Sequence, residues 1–219
     1  MRIDLHTHTL LSDGELLPIE LARRAVAKGH RAIALTDHVS LSTMERVINE
    51  TRRDCHLASE WDIEVILGVE LTHVPASKID VAITEARRLG AQLIVVHGET
   101  ISEPVEPGTN RVAVSNPEVD VLAHPGFITL EEAQIAKDNG IALEITSRSA
   151  HSATNGHVAK IASEVGAKMI VNTDAHYAKD LLSEEEAIVI AMGAGLARAE
   201  AERAVRDNPV EIIRRVRGR

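Results

Sequence analysis

At 219 residues, 44% hydrophobic and 26% charged, the chain is long enough to bury one full core without disulfide staples and reads as a single domain, 1–219. Lys and Arg number 24 against 33 Asp and Glu, and the net charge of −9 excludes attraction of polyanions by the overall field. Trp61, Tyr177 and Phe127 are the only aromatic residues, which argues against a nucleic-acid surface built on stacking and demands an aliphatic core.

The single cysteine, Cys55, rules out an internal disulfide and fits a reducing compartment. Met1-Arg2-Ile3-Asp4-Leu5 enters a strand pattern with no apolar leader, and no run approaches the ~20 apolar residues of a membrane span. A cytoplasmic location is expected. The basic tail, Arg214, Arg215, Arg217 and Arg219, reads as a solvated terminus rather than a nucleic-acid contact.

In chain order, β-rich runs at about 2–8, 32–37, 63–72, 93–98, 119–124, 141–146 and 169–174 alternate with helical patterns. The helices are expected at 17–28, 42–58, 79–89, 130–139, 155–165 and 183–192, with C-terminal helices over about 183–216 packing on the strands. Gly29, Gly90, Gly140 and Gly166 each fall just past a helix and before the next strand, as helix C-caps do. The segment 97–110 carries two prolines and little helical pattern, and is expected to fold over the site. Seven β/α units fit either a parallel barrel or an open doubly wound sheet.

Polar residues decide between them. His6 and His8 end the first run, Asp37 and His38 the second, and Glu70 lies near the end of the third. His97, His124, Glu144, and Asp174 with His176 follow on the remaining runs. An open sheet collects ligands at one switch point, whereas a barrel brings every strand end to one mouth, so the even spread favours the barrel. His6 and His8, two residues apart on a strand, point to the same face. An H-x-H alone is weak evidence for a metal; its repetition at successive strand ends carries the argument. Imidazole with carboxylate suits Zn, Mn or Fe, and the lack of cysteine ligands argues against a closed structural zinc site.

Several residues have plainer readings. Asp37 reads as a helix cap or an outer partner of the site, and Asp13 admits the role of an ordinary turn Asp. His30, His56 and His73 read as structural or exposed. His151 and His157 lie near the predicted mouth without ligand spacing, and their role is open.

His6-Thr7-His8-Thr9 with Ser12-Asp13-Gly14, Thr36-Asp37-His38, Gly68-Val69-Glu70, His97, Ala123-His124-Pro125 and Thr173-Asp174-Ala175-His176 span most of the chain. In these motifs and their order the chain resembles the PHP (polymerase and histidinol phosphatase) family of metal-dependent phosphoesterases. The resemblance implies an α/β fold, a distorted (β/α)7 TIM-like barrel. It implies one divalent ion held by His6, His8, Glu70 and Asp174. Glu70 would bridge to a second ion with His97 and His124, and Asp13, His38 and His176 would hold a third. Position 13 is His in some family members and Asp in others.

The implied activity is hydrolysis of a small phosphomonoester, histidinol phosphate being the family's obvious candidate, by a metal-activated hydroxide. Two or three divalent ions (Zn, Mn or Fe) would be the cofactors. Asp174 or His176 would protonate the leaving oxygen. Arg148, just after the sixth run, is the best-placed phosphate clamp, with Lys179 second. One alternative is a nuclease or phosphatase acting on short oligonucleotides or nucleoside bisphosphates. Another is a non-catalytic metal- or RNA-binding barrel, though a long nucleic acid is a poor partner for so acidic a chain.

Overall fold

The computed structural model describes residues 2–218. Its strands are β1 (Arg2–Asp4), β2 (His30–Leu35), β3 (His38–Val39), β4 (Glu64–Leu71), β5 (Leu93–His97), β6 (Val121–Ala123), β7 (Ala142–Thr146) and β8 (Met169–Asn172). Seven of them lie in the order β1-β2-β4-β5-β6-β7-β8, every neighbouring pair parallel. The two-residue β3 pairs with β4 in the same register that β2 uses, so it extends the line of β2 after an interruption at Thr36-Asp37. Runs such as Leu93-Ile94-Val95-Val96 are buried on both faces, the signature of strands covered by helices.

The first and last strands meet. Thr7 bridges Ala175 in parallel, Asp174 N donates to His6 O at 3.0 Å, and His8 N donates to Ala175 O at 2.8 Å. Lower down, side chains span the same seam: Leu5 N donates to Asn172 Oδ1 at 2.9 Å and Thr173 Oγ1 donates to Asp4 Oδ2 at 2.7 Å. The sheet is therefore a nearly closed, distorted TIM-like barrel, as expected.

Helices α1 (Pro18–Ala27), α2 (Met44–Ala58), α3 (Ile79–Arg88), α4 (Thr109–Ser115), α5 (Leu130–Asp138), α6 (Asn155–Val165) and α7 (Glu184–Gly193) cover the barrel. Thr129 with Glu132 and Ser183 with Glu186 form capping boxes that start α5 and α7. Gly166 ends α6 at φ +73, a left-handed conformation that favours glycine, and Gly29, Gly90 and Gly140 also have positive φ. The unanticipated elements are β3 and the short α4.

Two apolar layers result. One packs the outer barrel face against the helices. The other fills the barrel with Ile3, Leu5, Ala34, Ile66, Val95, Val121 and Ile170 from different strands. That interior layer continues into Ile212, Ile213 and Val216 of α9 (Asn208–Arg217), which follows α8 (Arg198–Glu202) and a π-helical turn at 203–207. The C-terminal helix thus stoppers the N-terminal end of the barrel. The solvated reading of the basic tail is corrected at Arg215, while Arg214 and Arg217 are exposed as expected. Arg215 donates to the carbonyls of Asn139, Gly140, Pro117 and Val119, and Arg217 pairs with Glu64 at 2.7 Å. Arg219 lies outside the described residues. No helix among the described residues is long and apolar enough to cross a membrane.

Candidate metal centre

The segment after β1 stays extended because both flanks hold it: on the β2 side Thr7 N donates to Thr36 Oγ1 at 3.0 Å and Thr7 Oγ1 donates to Ala34 O at 2.6 Å, and on the other side His8 N donates to Ala175 O at 2.8 Å. His6 and His8 consequently share a face, with their Nε2 atoms 3.0 Å apart. His6 Nδ1 lies 2.8 Å from Glu144 Oε1, a carboxylate that also accepts from Asn172 Nδ2 at 2.8 Å and from His124 N at 3.1 Å. Glu144, which sequence reading placed near a strand end without a role, is thus the outer partner that orients His6.

Glu70 is at the centre. Its Oε1 is 3.3 Å from His6 Nε2 and 3.6 Å from His124 Nε2, while Oε2 is 2.6 Å from His38 Nδ1 and 3.7 Å from His8 Nε2. Asp174 Oδ1 lies 3.1 Å from His8 Nε2 and 3.4 Å from His176 Nδ1. On the loop after β1, half-exposed Asp13 puts Oδ2 3.1 Å from His176 Nε2 and Oδ1 3.5 Å from His38 Nε2. His97 packs edge-on to His124, ring centroids 4.5 Å apart. All nine anticipated ligands meet at one barrel mouth.

Two of the nine carry backbone strain: His124 at φ +27 and Asp174 at φ +52. Non-glycine residues rarely adopt such values, and strain of this kind clusters at functional sites.

The electrostatics favour a cation. Burial, followed by neighbouring imidazoles such as His38 beside His8 and His97 beside His124, pushes both histidines well below the ordinary imidazole range. Burial opposes the ionised form of Glu70, yet His6 and His38 hold it well below the usual carboxylate range. Burial raises Asp174 against the pull of His6. For His6 itself burial disfavours charge, but Glu144, Glu70 and Asp174 outweigh it, so positive charge is stabilised at that spot.

Donor geometry agrees. His8 Nδ1, His124 Nδ1 and Glu70 Oε1 are buried without a hydrogen-bond partner. Ligands 2.0–2.2 Å from a tetrahedral ion would lie roughly 3.3–3.5 Å from one another, close to the spacings above. Ligand atoms within 4.8 Å of each other define four overlapping groups: His6, His8, Glu70; His6, His124, Asp174; His8, Asp13, His38, His176; and His97, His124, His151. The residues fit more than one divalent ion.

Surrounding residues hold this frame. Asp37 caps no helix; its carboxylate accepts from Thr9 N, Thr9 Oγ1 and Ser12 Oγ, each at 2.7 Å, and so fixes the loop between His8 and Asp13. The β5–α4 loop is tied at its base, where Glu99 Oε1 accepts from Gly108 N and Asn110 N at 3.0 and 2.9 Å. As expected it reaches over the mouth: Glu103 lies 3.3 Å from His97 Nε2, 3.2 Å from His73 Nε2 and 3.6 Å from His151 Nε2.

Arg148 and Lys179 line a cavity of about 510 Å³ together with Asp174, Thr173 and Tyr177. Arg148 Nη1 donates to Asp174 O at 3.4 Å, and the Lys179 ammonium sits 5.2 Å from the Tyr177 ring centre.

Of the remaining histidines, His30 is buried, His56 is exposed on α2, and His157 Nε2 bonds Ile128 O at 2.8 Å. His73 is exposed and faces Glu103. Glu103 is a neighbour of the site that the sequence did not single out, and His151 is one whose role it left open. Neither ends a strand, and only the folded loops bring them to the mouth.

A nearly closed parallel barrel with a histidine–carboxylate cluster at the C-terminal ends of its strands defines a class, a TIM-like barrel whose mouth carries His, Asp and Glu groups that could hold metal. Residues 4–197 match the PHP domain, and the chain belongs to the PHP domain family. It is 49% identical over 218 residues to an uncharacterized protein of Methanocaldococcus jannaschii, covering 99% of this chain and 100% of that one. It is 29% identical to a probable phosphatase of Thermoanaerobacter sp., covering 89% and 86% of the two chains. It is also 28% identical to ribonuclease P protein component 3 of Methanosarcina barkeri, covering 94% and 86%. A chain in a structure of archaeal ribonuclease P with mature tRNA shares the fold, with TM-score 0.71 and 15% identity over 98% of this chain and 89% of that one. The ribonuclease P likeness runs against the expectation that a long nucleic acid is a poor partner.

Proposed function

We propose that this chain is a metal-dependent phosphoesterase that hydrolyses a small phosphomonoester. The observation that carries the reading is the convergence of nine histidine and carboxylate side chains, with two imidazole nitrogens 3.0 Å apart, one of them 3.3 Å from a buried Glu70 oxygen that has no hydrogen-bond partner. His6, His8, Glu70 and Asp174 would hold one divalent cation, Glu70, His97 and His124 a second, and Asp13, His38 and His176 a third. When bound, such cations acidify water to a nucleophile at neutral pH and neutralise phosphate oxygens.

The chain's own residues supply the rest. Glu144 and Asp37 hold the first histidines and their loop in place. Asp174 or His176 would protonate the leaving oxygen. The cavity beside Asp174 has room for the leaving group, and Arg148 and Lys179 offer it the positive charge that the chain as a whole lacks. Arg148 would have to leave the Asp174 carbonyl to meet phosphate bidentately.

The likeness to ribonuclease P protein component 3 favours a second reading, an RNA-associated barrel. A net charge of −9 and a complete ligand set weigh against it, and a nuclease or phosphatase acting on short oligonucleotides or nucleoside bisphosphates is the alternative to the phosphomonoester reading.

The test is a substrate panel with bound metals measured in the same preparation. Phosphate release from phosphomonoesters, lost on chelation and in His8→Ala, supports the hydrolase. RNA binding that weakens steeply with salt, with no phosphate release in Mn or Zn, replaces it with the RNA-binding reading.

A further inference from the structure

His151 follows β7 at the start of a short 3-10 turn, away from any strand end, and nevertheless is only 4% exposed. Its ring stacks on His124 with centroids 4.2 Å apart and lies edge-on to His97 at 5.8 Å. Ligand atoms of these three histidines all fall within 4.8 Å of one another.

The orientation of the ring is fixed from behind. Thr100 Oγ1 and Ser102 Oγ, both on the β5–α4 loop, each lie 2.8 Å from His151 Nδ1. A proton on Nδ1 donates to either hydroxyl, and that tautomer leaves the Nε2 lone pair turned toward the mouth, 3.6 Å from Glu103 Oε1 and 3.9 Å from Asp174 Oδ2. Metal-ligating imidazoles are held this way, one nitrogen bonded to an outer partner and the other presented to the ion. A histidine that merely packs against His124 needs neither the hydroxyl pair nor an Nε2 aimed at two carboxylates.

We propose that His151 is a direct ligand of the cation held by His97 and His124, completing a three-imidazole site. This rests on the metal reading above and extends it by a residue outside the nine. Three neutral imidazoles with the Glu70 carboxylate form a donor set suited to Zn or Co rather than Mg or Ca. The β5–α4 loop then serves the site twice, through the hydroxyls behind His151 and through Glu103 in front of it.

The experiment strips the protein with chelator and titrates it with Co²⁺, reading stoichiometry, stepwise affinity and visible absorption. Wild type is compared with His151→Ala, His151→Gln and the pair Thr100→Val with Ser102→Ala; His124→Ala and His8→Ala are controls. The proposal expects both His151 variants to weaken one cation step by tenfold or more and to change its absorption, the other steps remaining as in wild type. The Thr100/Ser102 pair should weaken the same step by about tenfold. Unchanged cobalt binding in both His151 variants, with KM for a phosphomonoester raised, overturns it and makes His151 a substrate contact. Unchanged binding in His124→Ala and His8→Ala as well overturns the metal reading itself.

Discussion

Asp37 illustrates how much of the cluster depends on residues outside it. Three donors of the β1–α1 loop, Thr9 N, Thr9 Oγ1 and Ser12 Oγ, converge on its buried carboxylate. In Asp37→Ala these donors lose their acceptor, at a cost of about 2–4 kcal/mol in urea denaturation. Asp13, carried by the same loop, moves with it, so affinity for the cation it would hold should fall by roughly tenfold or more in metal titration. Full stability and full metal affinity in this variant would refute the bracing role. His30, at the closed end of the barrel, has a different effect. Burial, opposed by Asp4, pushes its pKa down to about 4. The folded state keeps His30 neutral while the unfolded chain protonates it near 6.5. Stability due to this residue is therefore complete above pH 6.5 and falls as pH drops toward 4, by about 3 kcal/mol over the window. His30→Leu should lose less stability than wild type between pH 7 and 4.5 in denaturant melts under chelator; parallel losses would show that His30 does not titrate there.

At the scale of elements, strands and helices could be read from aliphatic runs and their glycine stops, and eight of the nine candidate ligands from their place at or near the ends of those runs; Asp13, on a turn, entered only through the family resemblance. What could not be read depended on contacts between distant segments. β3 is two residues long and exists because β4 offers it a partner. α4 follows a loop whose shape comes from Glu99 and Asn110. His151 has no spacing signal because its position is set by Thr100 and Ser102, about fifty residues earlier. Arg215 gave a charge signal that suggested solvent, yet four carbonyls of other segments receive it. The loop offers a direct test at Gly126, where φ is +60 and an added Cβ would stand 1.9 Å from Glu99 O. Gly126→Ala should cost about 2 kcal/mol or more and displace the β5–α4 loop. Amide exchange across residues 98–108 reports the displacement; unchanged exchange and stability would contradict the close approach described.

For the whole molecule, barrel closure decides what the residues can do. It carries the His6–His8 segment against Asp174–His176, about three-quarters of the chain away in sequence, through the Thr7–Ala175 bridge. α9 stoppers one end with Ile212, Ile213 and Val216, and the histidine–carboxylate cluster occupies the other. There an acidic chain of net charge −9 builds a place that stabilises positive charge, and bound cations would in turn attract the anionic substrate that the overall field repels. The central claim is that the strand-end cluster holds divalent cations that hydrolyse phosphate esters. The most direct measurement is metal content per chain together with phosphate release from a phosphomonoester, in wild type and in His8→Ala. The account predicts two or three ions per chain and turnover in wild type, with ions lost and turnover reduced by at least a factor of about 10² in the variant. Turnover unchanged by His8→Ala, or a fully metal-loaded wild type that releases no phosphate from any ester, would contradict it.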